Sequence, residues 1–67
     1  MLELKINGEI RLFPLALTVA GLVEELGYVG KRVAIERNGE IVPKGLHSVT
    51  QLNSGDQLEI VVAVGGG

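Results

Sequence analysis

Three consecutive glycines close the sequence, and they leave the carboxylate at their end free of neighbouring side chains. Gly65, Gly66 and Gly67 directly follow a β-branched stretch, without a polar linker. Without Cβ atoms they can enter a narrow groove and take φ and ψ values closed to other residues. The carboxylate of Gly67 can then approach an α-phosphate in line, and adenylation turns its oxygen into a leaving group. We therefore predict that Gly67 reacts, with ATP, metal and electrostatic stabilisation supplied by a partner enzyme.

A terminal glycine run has a simpler interpretation, as a frayed end or the remnant of a tag. Against it, the sequence begins at Met1, and its glycines adjoin a predicted strand with no tag after Gly67. We therefore expect Gly65 and Gly66 to thread the tail into a partner, which leaves Gly67 as the working group.

The side chains are weaker candidates for catalysis or metal binding. His47 is the only histidine and there is no cysteine, which excludes disulfides, thiol nucleophiles and thiolate metal sites. We interpret His47 as an exposed loop residue and expect no metal site. Glu24 and Glu25 are adjacent, so on a helix they point about 100° apart, which favours a solvated face over an acid/base pair. Asp56 follows Gly55 and is expected to bond local backbone in a turn.

Length, charge and composition exclude several other classes. Sixty-seven residues make one domain with little room for an internal catalytic cavity. Six basic and eight acidic residues give a net charge of −2, and only Phe13 and Tyr28 are aromatic, so we expect no nucleic-acid partner. The apolar stretch 12–23 could suggest a signal peptide, but polar and helix-breaking residues interrupt it. We therefore interpret it as part of the mature domain. No stretch approaches the ~20 apolar residues of a membrane span. The lack of cysteine fits a cytoplasmic protein, which is the location we expect.

The elements that must position the tail begin with a hairpin. Apolar and polar residues alternate from Leu2 to Ile6, which predicts a strand with one buried face. Asn7-Gly8 is a strong hairpin signal because both central turn positions need φ > 0. Residues 10–13 form the predicted returning strand, which Pro14 ends.

A helix and a second hairpin follow. Thr18 is the predicted N-cap of a helix whose apolar stripe has the spacing i, i+3, i+4 and i+7, and Gly27 is its predicted C′ residue. The third strand is predicted over 32–37, and Asn38-Gly39 turns the chain into a short strand over 40–42. A spacing of three then favours a short 3₁₀-like segment packed on the core by Leu46, Val49 and Leu52.

The last predicted strand runs over 57–64, with Leu58, Ile60 and Val62 on one face. Placed parallel beside the first strand, it completes a mixed sheet wrapped around one helix. The fold class predicted is therefore α+β with a β-grasp arrangement, in which residues 1–64 form the domain and residues 65–67 a flexible glycine tail.

The chain resembles the sulfur carriers of thiamine biosynthesis, which have the ubiquitin-like β-grasp fold. The resemblance rests on the segment 38–43 (NGEIVP), on Gly55-Asp56 and on the ending 61–67 (VVAVGGG), and covers essentially the whole chain. It implies that an E1-like enzyme adenylates Gly67 and that a sulfur donor protein converts it to a thiocarboxylate. The thiocarboxylate then gives sulfur to thiazole synthase. The resemblance thus implies a cosubstrate of its partner enzymes, with no bound cofactor of its own.

Two other functions fit the same fold and tail. One is the small subunit of molybdopterin synthase, which usually has a longer chain. The other is a protein modifier that forms isopeptide bonds, like ubiquitin. The compact length and the VGGG ending favour the thiamine carrier.

The last predicted strand also suggests where partners dock. Its outward face carries Glu59, Val61 and Ala63, although the solvent face of such a sheet is usually polar. Scattered apolar residues are normal on surfaces, and β-propensity alone could explain them. Because Val61 and Ala63 adjoin the tail, we expect both the E1-like enzyme and thiazole synthase to bind there and compete.

Overall fold

The computed structural model describes residues 1–63, which form a five-stranded mixed sheet, one α-helix and one short 3₁₀ helix. In chain order the elements are β1 (Leu2–Ile6), β2 (Glu9–Phe13), α1 (Val19–Glu25), β3 (Val33–Arg37), β4 (Glu40–Ile41), a 3₁₀ helix (Lys44–Leu46) and β5 (Gln57–Val62). The strands lie in the order β2-β1-β5-β3-β4. This is the β-grasp arrangement predicted from the sequence.

Both hairpins turn at Asn-Gly pairs, as predicted. Asn7 and Gly8 have φ values of 49° and 86°, and Asn38 and Gly39 have values of 50° and 87°. Positive φ at both central positions defines the turn that matches the twist of the flanking strands. The first turn sets the register of β1 against β2, in which Ile6 faces Glu9.

Helix α1 is closed at both ends by the residues that the sequence indicated. The Thr18 hydroxyl accepts a hydrogen bond from the Gly21 N–H at 3.1 Å. At the other end Gly27 has φ of 77°, and the Tyr28 N–H donates to the Val23 carbonyl at 2.9 Å. This is a glycine-based C-terminal cap.

Strand β5 is central, as expected for the strand that completes the sheet. It runs parallel to β1, with Lys5 opposite Gln57 and Ile6 opposite Leu58. On its other side it runs antiparallel to β3, with Ile35 opposite Ile60. The strand that leads to the tail is therefore held on both edges.

The core lies between the helix and the inner face of the sheet. Helix α1 contributes Val19 and Leu22, both fully buried. The other buried apolar side chains are Leu2, Leu4, Ile6, Phe13, Ile35, Leu52, Leu58 and Ile60.

The prediction that Leu46 and Val49 pack on the core is wrong. They are 49% and 70% exposed, and only Leu52 of that series is buried. The 3₁₀ helix ends at Leu46, so a repeat of three does not continue to the later positions. Backbone hydrogen bonds hold this segment instead, including one from the Val19 N–H to the Thr50 carbonyl at 2.9 Å.

Candidate functional site

The described chain stays bonded to the sheet as far as its last residue, Ala63. Val61 pairs with Ala34 and Val62 with Val33 in the β3–β5 ladder. The Ala63 N–H then donates to the Arg32 carbonyl at 2.9 Å. The domain end at residue 64 and the tail residues Gly65, Gly66 and Gly67 lie outside the described residues, so their predicted roles remain predictions.

Asn7 fixes β5 beyond the point where its neighbour β1 stops. The Ile60 N–H donates to the Asn7 Oδ1 at 2.7 Å, and the Asn7 Nδ2 donates to the Ile60 carbonyl at 3.1 Å. The side-chain amide thus presents one donor and one acceptor, as a paired strand residue would. The sequence indicates only the turn role of Asn7, because a contact across 53 residues leaves no local signal.

Asp56 stabilises the turn that directly precedes β5. It is only 7% exposed, and its carboxylate accepts hydrogen bonds from the Arg37 Nε at 2.9 Å, the Asn38 Nδ2 at 3.1 Å and the Asn53 N–H at 2.9 Å. Burial alone would raise the pKa of Asp56, but these hydrogen bonds and the Arg37 charge outweigh it and lower the pKa from its ordinary value of 3.8. The bond from Asn53 is the expected turn contact, whereas the partly buried ion pair between Arg37 and Asp56 was not predicted from the sequence.

The outward face of β5 has the exposed apolar residues that were expected there. Val61 is 64% exposed, Ala63 is exposed, and the Val61 partner Ala34 is exposed beside it. We call this side of the sheet, turned away from α1, the outer face. It carries further exposed apolar side chains on β2 (Ile10 and Leu12) and β4 (Ile41).

His47 is half-buried, so its interpretation as an exposed loop residue is wrong. Its Nε2 lies 3.0 Å from the Val42 carbonyl, which requires the proton on Nε2 because a carbonyl only accepts. Its own carbonyl accepts from the Ala20 N–H at 2.8 Å, which ties the loop after the 3₁₀ helix to α1.

No group of three or more His, Cys, Asp or Glu side chains that could hold a metal occurs within residues 1–63. Glu24 and Glu25 are both exposed, which agrees with a solvated helix face. Among the described helices, none has the length and apolar character needed to cross a membrane.

Comparison with known proteins assigns the chain to a family. The model of the ThiS family matches residues 4–67, which includes the glycine ending. The chain belongs to the ThiS family. A crystal structure of the thiamine biosynthesis protein ThiS from Geobacter metallireducens is similar to it, with a TM-score of 0.82 and 28% identity over 98% of this chain and 100% of that one. The family resemblance and the fold predicted from the sequence are thereby confirmed.

Longer proteins also contain a region similar to this chain. A thiazole synthase from Paramagnetospirillum magneticum is 50% identical over 66 residues, which are 98% of this chain and 20% of that protein. A thiazole synthase from Magnetococcus marinus is 35% identical, with the same coverage. The ThiS-family chain therefore spans about a fifth of the length of these curated relatives.

Proposed function

We propose that this ThiS-family chain is a sulfur carrier of thiamine biosynthesis, which bears sulfur as a thiocarboxylate on Gly67. The observation that supports this most is the family match, which extends through residue 67 and so includes the glycine ending. The solved relative named as a thiamine biosynthesis protein, and the similar regions within thiazole synthases, favour this pathway over the molybdopterin alternative.

The proposed chemistry has two steps, both carried out by partners. In an E1-like enzyme, the Gly67 carboxylate attacks the α-phosphorus of ATP, pyrophosphate leaves and an acyl adenylate forms. A sulfur donor protein then delivers the equivalent of hydrosulfide to the carbonyl carbon, AMP leaves, and the proton passes to solvent. The chain itself supplies the carboxylate and an unobstructed approach to it.

The fold limits how far Gly67 can lie from the docking surface. Gly67 is four residues after Ala63, and a fully extended chain spans at most about 3.5 Å per residue. Gly67 therefore stays within about 14 Å of Ala63. Any enzyme that acts on the carboxylate must approach the end of β5 that closely.

We propose that Val61 and Ala63 on the outer face contact both the E1-like enzyme and thiazole synthase. Val61 is 64% exposed and Ala63 is exposed at the last described position, so both can be covered without rearranging the core. Since each enzyme must reach the same short tail, the two would compete for this surface.

A single-turnover assay tests the function. The chain is loaded with sulfur by the E1-like enzyme, ATP and the sulfur donor, purified, and offered to thiazole synthase with its small substrates. We expect about one thiazole per loaded chain and none from unloaded chain. If the loaded chain instead supports only molybdopterin synthesis, or becomes joined to lysine side chains of other proteins, the thiamine assignment is wrong.

A further inference from the structure

A cleft of about 570 Å³ lies on the helix side of the sheet, between α1, the loop after it and the 3₁₀ helix. Its wall includes the half-buried side chains of Val23, Tyr28 and Val33 and the 67% exposed Val29. Its charged lining includes Lys31, Arg32 and Lys44, all exposed. We call these seven residues the basic cleft.

Positive charge is concentrated in the basic cleft although the chain as a whole is acidic. The cleft holds three of the six Lys and Arg residues of a chain whose net charge is −2, and Glu24 is the acidic residue that lines it. The ion pair within residues 1–63 joins Arg37 to Asp56, and none joins Lys31, Arg32 or Lys44 to another residue in that range. Clefts in which one sign of charge predominates attract ligands of the opposite sign.

The cleft adjoins the place where the chain leaves the sheet. The carbonyl of Arg32 accepts the hydrogen bond from Ala63, and Val33 in the cleft wall faces Val62 in the strand ladder. The cleft nevertheless lies on the helix side, whereas Val61 belongs to the outer face. A protein that holds the tail could therefore occupy both surfaces at once.

We propose that the basic cleft docks an acidic peptide segment of a partner protein, with one apolar or aromatic side chain of that segment seated between Val23, Tyr28 and Val29. A small inorganic anion would satisfy the cations but leave the apolar wall exposed, whereas such a peptide covers both. Assigning the segment to an enzyme that acts on the tail rests on the proposed function. Peptide binding itself does not.

A titration of the isotope-labelled full chain, followed by nuclear magnetic resonance, tests the inference. The probe is a ten-residue peptide with a central Leu-Phe pair flanked by Asp and Glu. Two matched peptides replace either the acidic residues with Lys or the Leu-Phe pair with Ala-Ala. We expect the first peptide to shift backbone amides around Val29, Lys31 and Lys44, and each replacement to weaken binding at least tenfold.

Charge reversal on the protein gives the matching control. The double variant Lys31→Glu and Arg32→Glu should weaken peptide binding at least tenfold, whereas Lys5→Glu reverses an exposed cation on the outer face and should change it less than twofold. Circular dichroism checks that all variants stay folded.

The inference is overturned if the shifted amides lie on the outer face, if Lys5→Glu weakens binding as much as the double variant, or if inorganic phosphate alone displaces the peptide at equal concentration. The titration contains no enzyme, ATP or sulfur source. A failure of sulfur loading would therefore refute the proposed function without affecting this result.

Discussion

The side-chain amide of Asn7 bonds to both backbone groups of Ile60, at 2.7 Å to its N–H and 3.1 Å to its carbonyl. Strand β1 ends at Ile6, so at Ile60 the Asn7 side chain takes the place of the backbone partner that β1 no longer provides. Three residues after Ile60 the described chain ends at Ala63. Asn7 thus fixes β5 at Ile60 on the side of β1, while β3 holds the other side of the strand as far as Val62.

Replacing Asn7 with glycine should separate its two roles, because glycine tolerates the φ of 49° but cannot bond to Ile60. We expect a loss of about 1–2 kcal/mol in the free energy of unfolding, measured by urea denaturation, from the two lost hydrogen bonds. Hydrogen exchange at the Ile60 amide should accelerate more than at the Val42 amide, which bonds to the Ile35 carbonyl in the other hairpin. Equal acceleration at both amides would show that Asn7 acts only through global stability.

Asp56 should make the stability of the fold depend on acid pH. Because its pKa is lowered on folding, its stabilising contribution is complete above the ordinary value of 3.8 and is lost as the pH falls through the lowered value. Asp56→Asn should therefore cost about 2 kcal/mol at pH 7, since hydrogen bonds to a charged group are lost, and progressively less as the pH falls below about 4. Urea denaturation at a series of pH values measures both.

The matched control for that series is Glu59→Gln, which removes an exposed carboxylate from β5. It should change stability by less than about 0.5 kcal/mol at any pH. A cost for Asp56→Asn that stays constant from pH 7 to pH 2 would contradict the role assigned to the Asp56 carboxylate.

Gly66→Val should block adenylation by the E1-like enzyme and leave the fold unchanged. A branched side chain adds bulk and closes the φ > 0 region at a position expected to lie in a narrow channel. The release of pyrophosphate measures adenylation. The free energy of unfolding, measured by thermal denaturation, should stay within about 0.5 kcal/mol of that of the original chain. Gly45→Ala is the control, because no atom lies within 4 Å of an added Cβ there. Normal turnover of Gly66→Val would remove the threading argument.

Val61→Asp should weaken the complexes with the E1-like enzyme and with thiazole synthase by about 1–3 kcal/mol each, because a charge is desolvated at the contact. Ile10→Asp is a matched control, since Ile10 is 60% exposed on the same face but lies on β2, two strands from β5. Calorimetry measures both affinities, with circular dichroism as the folding check. Equal losses for both variants would place the interface across the whole outer face, and simultaneous binding of the two enzymes to one carrier would exclude a shared site.

Patterns among neighbouring residues predicted most of the fold. Each Asn-Gly turn needs two positive φ values, which depend only on the two residues themselves. The Thr18 and Gly27 caps contact or adjoin residues within about one helical turn. Neighbouring residues were therefore enough to predict both the turns and the caps. The alternation of apolar and polar residues in β1 likewise predicted which face of that strand is buried. The family resemblance then supplied the function expected for the ending, which composition alone could not.

Long-range contacts explain what the sequence did not reveal. The bonds from Asn7 to Ile60 and from Arg37 to Asp56 depend on strand register, which no local pattern encodes. The spacing that suggested buried Leu46 and Val49 was misleading because backbone hydrogen bonds, which any residue can make, hold that loop. The basic cleft also forms only when residues near 31 and 44 are brought together by folding.

The intact mass of the chain tests the central claim most directly. The chain is incubated with the E1-like enzyme, ATP and a sulfur source, beside a variant that lacks Gly67 and a reaction without ATP. We predict a gain of about 16 Da, the replacement of one oxygen by sulfur, which fragmentation assigns to Gly67 and which neither control shows. A modification that maps to a side chain, or sulfur transfer that persists without Gly67, would contradict the account.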